Sequence, residues 1–443
     1  MNAKKWVLTF LLLALVLVLG LAAFNYVTDP FAAFGDRFLN WFSYDETNNP
    51  RVAKISYLEQ HHDEYDSYIL GCSSTSSLQV SDFNKLYDAN FYNLIMYGAD
   101  IRDCEKIADY LIEHYEVKHL VLNVYLDNGF TYDDETDRLT RNLHYLTDPD
   151  TSALSFYTRY LFCDPRYGFA KLKNLRNDRL LPQSFDVFNE VTGEYDKRVR
   201  DVEPIGSMDT YLEAYPVFAD YPKTGDFVLG QAENCMRSVA AIKERCEAAD
   251  VELVVVAAPV YIDYFQNFQA EDVANFYASL AKVTDFWDFS CSSVSCEPRY
   301  FYDATHFRNA VGSMIAARIA GDDSVYIPDD FGTYVTADTP SSYFSEVLQA
   351  TALPDKTVSR DVPVLMWHNL AEESSGDMTI SVDTFRAQIE ALHEAGFKTV
   401  SLQQLYDYVH FGTELPEKPI VLTFDDGYFS NYEYAYPILR EYG

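Results

Sequence analysis

Positive charge is scarce in this chain. Lys and Arg number 34 against 68 Asp and Glu, a formal net charge of −34 over 443 residues. Nucleic acid needs a basic footprint to neutralise its phosphates, so this balance excludes it as a partner. It suits a soluble, surface-exposed body. Cysteine is sparse as well: seven residues, with no CxxC or Cys/His spacing that would build a structural zinc site. An odd number leaves at least one thiol free. Cys291 and Cys296 enclose only SSVS, and whether they close a small loop is a matter of geometry. No internal repeat stands out. Apolar residues are not lacking: at 48% hydrophobic content the chain affords a sizeable core, which argues against disorder.

Only one apolar run is long. MNAKK precedes WVLTFLLLALVLVLGLAAF, residues 6–24, which carries no charge. At about 1.5 Å per residue this run just spans a bilayer core of roughly 30 Å. Lys4 and Lys5 before it place the N-terminus in the cytoplasm and everything past Asn25 outside. A cleaved signal peptide is the rival, since Gly20-Leu21-Ala22 offers small residues, but the run is long for one. The expected arrangement is a single-pass membrane anchor over 1–24 with the remaining domains extracellular.

Beyond the anchor, β-like and helical stretches alternate. SYIL (67–70), FYNLIM (91–96), HLVLNVYL (119–126), VELVVVAAPV (251–260) and TDFWDFS (284–290) read as strands. Between them lie DIRDCEKIADYLIEHY, QAENCMRSVAAIKERCEAA and EDVANFYASLAKV, with HFRNAVGSMIAARIAG last. This alternation predicts an α/β domain with a parallel sheet covered on both faces, over 25–325. Residues 326–360, rich in Asp, Pro, Ser and Thr, read as a linker. A second alternation opens at VPVLMW and fills 361–443, with Ser381 as an N-cap and Gly396 as a C′ residue.

Two motifs carry chemistry. In a parallel sheet, ligands sit at the carboxyl ends of the strands. Ser73 follows SYIL at such an end, and FYDATHF supplies Asp303 and His306 late in the domain. A nucleophilic serine needs a base, and the base an orienting group. Gly71-Cys72-Ser73 with Asp303-Ala304-Thr305-His306 resembles the SGNH hydrolase superfamily, closest to the branch of alginate O-acetylation and D-alanyl-transfer proteins. The resemblance implies a flavodoxin-like fold with Ser73 as nucleophile, His306 as base and Asp303 as its orienter. It also implies an oxyanion site, for which Gly98 takes the glycine role and Asn123 the asparagine role. Cys72 departs from the Asp of the Gly-Asp-Ser form.

The second motif is TFDDG, residues 423–427, at the end of the strand IVLTFDD. Two adjacent carboxylates at a strand end can divide the work of binding a metal ion and activating water. With VPVLMWHNL and ISVDTFRAQIEALHEAGFKTVSLQQL before it, this segment resembles the start of a polysaccharide deacetylase domain. The group is that of NodB homology, carbohydrate esterase family 4, in the branch acting on poly-N-acetylglucosamine. The resemblance implies Asp425 as the base for water and Asp426 as a ligand to a divalent metal, commonly zinc. His368 lies at a strand end and reads as a histidine of the mouth rather than a ligand. The family takes two more ligands from a later His-[Ser/Thr]-x-x-x-His element, and its (β/α) barrel uses more strands than 361–443 supplies. The segment therefore reads as the first part of that barrel, in the N-terminal piece of a longer, cell-surface polysaccharide deacetylase. This piece by itself is expected to be inactive in deacetylation. The alternatives are a serine-dependent O-acyl esterase or transferase on surface glycans, and a non-catalytic platform whose aromatic residues stack on sugars.

Overall fold

The computed structural model describes residues 3–39, 49–124, 126, 139–176, 187–196, 208–218, 221, 229–322, 324–325, 327–340, 342–350, 362–376, 378–411 and 414–443. The chain divides into two compact units. The first holds residues 1–204 and 215–354, the second 205–214 and 355–443.

The first unit begins with helix α1 (Ala3–Thr28), the one helix among the described residues long and apolar enough to cross a membrane. Helix α2 (Pro50–His61) follows, capped by Asn49, whose side chain accepts from Arg51 N. The sheet starts with β1 (Ser67–Gly71), then helix α3 (Val80–Tyr87), β2 (Phe91–Ile95), helix α4 (Ile101–His114) and β3 (His119–Asn123). Helices α5 (Ala153–Leu161) and α6 (Pro165–Arg176) and the hairpin β4 (Val187–Phe188) and β5 (Tyr195–Asp196) interrupt the alternation. It resumes with β6 (Glu252–Ala257), β7 (Phe286–Asp288) and β8 (Thr333–Val335).

The strand order is β2-β1-β3-β6-β7-β8, with all pairs parallel except β7–β8. From β1 the chain crosses to β2 on one side and then returns past β1 to β3 on the other. Right-handed crossovers put α3 and α4 on opposite faces, so the order reverses beside β1. The carboxyl end of β1 is therefore where a crevice opens. Every residue of β1 and β2 is buried, as expected of a sheet covered on both faces.

The outer edge of β2 is closed rather than left for pairing. Lys54 on α2, fully buried, donates from Nζ to the carbonyls of Asn93 and Ile95 at 3.0 Å and of Gly193 at 2.6 Å. The three acceptors match the three N–H bonds of an ammonium group. Burial pushes the Lys54 pKa down, with Glu194 opposing it. Gly193, at φ +70°, lets the β4–β5 turn approach: a Cβ there would lie 2.3 Å from Asn93 O.

One expectation needs correction. The stretch 326–360 is not simply a linker. Within it β8 pairs with β7, and Phe344 of the helix Ser342–Ala350 is buried against Tyr277 and Phe286. Low periodicity hid a three-residue strand and a short helix, so the boundary falls near Pro354 rather than at 325. Residues 351–360, the rest of the expected linker, lie outside the described residues. Cys291 and Cys296, whose pairing the sequence leaves open, are not joined by a disulfide. Burial raises Cys235, Cys246 and Cys296 to about 12, so these remain thiols at neutral pH.

The second unit contains β9 (Val364–Trp367), β10 (Asn369–Ala371), β11 (Thr379–Ser381), β12 (Lys398–Thr399) and β13 (Pro419–Phe424). A parallel sheet runs β12-β13-β9, and β10 pairs with β11, also parallel. The helix Val382–Glu394 starts on Ser381, whose Oγ accepts from Thr384 N at 3.1 Å, and ends at Gly396 with φ +81°. Trp367, Leu370, Phe385, Ile389, Ala435 and Ile438 form the main core of this unit.

Candidate active sites

The first site forms at the carboxyl end of β1. Residues Ser73–Ser77 coil into one tight 3-10 turn there. Two glycines permit it. A Cβ on Gly71 would lie 2.0 Å from Thr75 Oγ1, and one on Gly312 would lie 1.7 Å from Ser77 O. The turn is thus clamped between the strand end and the helix Asn309–Ala320. Ser77 Oγ donates to Phe307 O at 2.6 Å, tying the turn to the loop that carries Asp303 and His306. Ser74 to Ser77 are buried, and Ser73 alone of the run is partly open.

The structure brings Ser73, His306 and Asp303 into line. His306 Nδ1 lies 2.8 Å from both oxygens of Asp303, and His306 Nε2 lies 2.8 Å from Ser73 Oγ. A carboxylate only accepts, so Nδ1 carries the proton and Nε2 is left to accept from the serine hydroxyl. Asp303 is fixed in turn by the N–H groups of Thr305 at 2.9 Å and His306 at 3.0 Å. Burial pushes the Asp303 carboxyl up. The His306 bond and charge, with the two backbone donors, outweigh that and hold it at about 2. The group is a carboxylate throughout the neutral range. The arrangement can activate a serine for attack on an acyl carbon.

The residues considered for the oxyanion are placed differently. Gly98 follows β2 at φ +53°, and Met96 N donates to Gly71 O at 3.1 Å, so this loop borders the end of β1. The Arg141 guanidinium closes on it, 3.3 Å from where a Gly98 Cβ would stand. Asn123 is fully buried. Its amide donates to Ser74 Oγ at 2.9 Å and Thr75 Oγ1 at 3.2 Å, while its Oδ1 accepts from Ala258 N at 3.3 Å. The amide is used on two hydroxyls of the turn, so in this geometry Asn123 braces the turn that carries the nucleophile rather than offering a donor to an oxyanion. Asn93 does the same from β2, donating to Thr75 O and Leu78 O. Sequence gave no sign of this bracing, because it depends on which way each strand asparagine faces. Arg141 lies in the stretch 130–230 where no periodicity could be read.

The second site lies at the ends of β9 and β13. Phe424 pairs with Trp367, and Asp425 N donates to Trp367 O at 2.9 Å, so Asp425 is still held by the strand. The chain then turns through two left-handed residues, Asp426 (φ +62°) and Gly427 (φ +63°). Asp tolerates this region better than most side chains. Ser430 fixes the far side of the turn, donating to Asn369 Oδ1 at 2.7 Å and accepting from Leu370 N at 3.1 Å. Across the mouth, His368 Nδ1 lies 3.3 Å from Asp426 Oδ2. From sequence, His368 reads as a mouth histidine rather than a ligand. The signal that could have raised it was its place one residue past β9, which the pairing of β9 with β13 sets beside the carboxylates.

Carboxylate and imidazole both suit zinc. Hydrolytic zinc sites use three protein ligands, however, and His368 with Asp426 makes two. Among the described residues, no group of three or more His, Cys, Asp or Glu is arranged to hold a metal ion. The described residues do not by themselves complete a divalent-metal site.

No family model matches the chain. A stretch of 80 residues, 18% of the chain, is 41% identical to the poly-beta-1,6-N-acetyl-D-glucosamine N-deacetylase of Escherichia coli K12. A stretch of 82 residues, again 18%, is 33% identical to the putative polysaccharide deacetylase YxkH of Bacillus subtilis 168. These matches span 12% of the first relative's length and 29% of the second's. Among solved structures, the Streptococcus pyogenes deacetylase PplD in complex with acetate is 32% identical over 18% of this chain and 38% of its own, with a TM-score of 0.17. IcaB from Ammonifex degensii is 34% identical over 18% of this chain and 34% of its own, also at 0.17. About 18% of the chain is thus homologous to polysaccharide deacetylases.

Proposed function

We propose that the protein acts on acetyl groups of a cell-surface polysaccharide, and that residues 361–443 belong to an N-deacetylase domain for an amino-sugar polymer. The supporting observation is the local identity to polysaccharide deacetylases, of a length that this segment accommodates, together with TFDDG at the end of β13. In this reading Asp425 takes the proton of a water whose oxygen attacks the N-acetyl carbonyl carbon. The C–N bond then breaks, the amine leaves with a proton, and acetate is released. Asp426 would be one ligand of a divalent cation, commonly zinc in the family that the segment resembles, with His368 beside it. The poly-N-acetylglucosamine class of substrate is carried by analogy with the Escherichia coli relative's name. The test is acetate release from β-1,6-linked N-acetylglucosamine oligomers by the native gene product. Activity that is lost in Asp425→Asn would support the reading. Activity that persists in both Asp425→Asn and Asp426→Asn would end it.

A second reading is favoured by the Ser73–His306–Asp303 line. The first unit would be an SGNH-like domain that forms an acyl-enzyme on Ser73 and passes the acyl group to water or to a glycan hydroxyl. Ser73 Oγ attacks the ester carbonyl, His306 Nε2 takes its proton, and the alcohol leaves with that proton. Trapping decides this: an acyl-fluorophosphonate probe should label Ser73 in the native protein and not after His306→Ala. Absence of labelling in both would leave a glycan-binding platform as the role of this unit.

A further inference from the structure

The exit of α1 is not bare. Phe24, the last residue of the apolar run, packs its ring at a tilt against that of Phe169 of α6, with ring centroids 4.7 Å apart. One residue later, buried Asn25 donates to Leu161 O at 3.0 Å and Cys163 O at 2.9 Å, in the α5–α6 connection. Gly168 lets α1 come close: a Cβ there would lie 2.6 Å from Phe24. Helices α5 and α6 are therefore fixed to α1 at the level where its charge-free run ends.

These two helices and their connection present apolar side chains outward. Phe162 is 45% exposed, Phe169 61% and Leu172 38%, and Leu154 on α5 and Phe38 beside Tyr26 are exposed as well. Their charge also departs from the rest of the chain. Residues 153–176 carry Arg159, Arg166, Lys171, Lys173 and Arg176 against Asp164 alone, within a protein of net charge −34. Lys171 is buried on Asp36 at 2.5 Å and faces inward, while Lys173 is exposed and Arg166, exposed as well, is paired with Asp164 at 2.5 Å.

Taking α1 as a membrane anchor, we infer that the exposed face of α5–α6 lies in the headgroup layer of an anionic phospholipid bilayer, holding the first unit against the membrane. Exposed Phe and Leu beside Lys and Arg match an interface where apolar groups reach the acyl boundary and cations meet phosphate. The acidic remainder of the chain is repelled by such a surface, so this patch also sets which side faces the lipid. The inference rests on the anchor reading but does not follow from it, since a chain can hang from its anchor free of the surface.

The test uses the full chain in lipid nanodiscs that contain photoreactive phosphatidylglycerol, with adducts located by peptide mass. Adducts are expected on residues 6–24 and also on 161–173. A Leu172→Glu/Lys173→Glu variant should lose those on 161–173 by about fivefold or more and keep those on 6–24, as expected from losing one apolar and one cationic contact. Neither substituted residue touches α1 through a contact described above. Lys173→Arg should keep both sets. Adducts on 6–24 alone would overturn the inference and leave the anchor intact. Adducts on neither would overturn the anchor, and the inference with it. Equal yields from photoreactive phosphatidylcholine would overturn the anionic preference.

Discussion

β1 and β9 hold equivalent places, each a parallel strand that ends at a candidate site, yet they are packed very differently. All five residues of β1 are buried, and Tyr68, Ile69 and Leu70 have no exposed surface. In β9, Val364 is 50% exposed, Leu365 36% and Met366 56%, and only Trp367 is buried. A parallel sheet normally has both faces covered. The first unit meets that condition and sets Ser73 on a turn that β1, Asn93, Asn123 and Gly312 hold from several sides. In the second unit Asp425 and Asp426 depend on one backbone bond to Trp367, one serine clamp and a single facing imidazole. Precise placement of a catalytic group needs a rigid supporting shell. The three side chains of the first site are aligned by the first unit's own residues, whereas the described residues of the second unit bring together a carboxylate pair and a histidine.

Substitutions can break or sharpen this contrast. The largest effects belong to the first unit. If its line is catalytic, Ser73→Ala and His306→Ala should each reduce hydrolysis of an activated acetyl ester by roughly 10³-fold or more, measured as kcat/KM. Equal activity in both variants would remove the serine reading. Asp303→Asn should cost nearly as much, because Asn can no longer fix the imidazole tautomer. The pH dependence has a definite sign. Asp303 is depressed to about 2, so its contribution is full above the ordinary carboxylate value near 4 and fades as pH falls towards 2. Acid titration followed by the His306 imidazole signal should show this loss in the wild type and not in Asp303→Asn.

Next come the packing changes. Leu70→Ala should destabilise the first unit by about 2–5 kcal/mol, since it empties a fully buried site. Gly312→Ala should cost about 1–3 kcal/mol by driving a methyl into Ser77 O, and should disturb Ser73 more than its stability cost implies. Both are read from denaturant midpoints together with Ser73 probe labelling. A smaller loss, about 1 kcal/mol, is expected in the second unit for Ser381→Ala, which removes the cap bond to Thr384 N. The smallest belongs to Leu365→Ala, within about 0.5 kcal/mol as for other exposed positions. A large loss at Leu365 would mean that β9 is covered in solution, and the contrast between the units would vanish.

Much of this was legible in the chain. The strands SYIL and FYNLIM, the helix after Asp100 and the capped helix after Ser381 follow from apolar period and cap chemistry. Ser73, His306 and Asp303 stood out through their place after a strand and before a helix. What stayed hidden needed three dimensions. Asn123 announced itself as a strand asparagine, but only the fold shows its amide turned onto Ser74 and Thr75. The strand Thr333–Val335 is too short for period to mark, and it exists because β7 offers a free edge. His368 gained a partner only when β13 paired with β9.

By itself, then, the sequence determined the local elements, the single long apolar helix and the residue types able to do chemistry. Those properties depend on neighbours a few positions away. The tertiary structure decided which of these residues meet: Ser73 and His306 are 233 positions apart. Their contact rests on strand order and on two glycines that make room for the turn, a cooperative result of packing that no local pattern encodes.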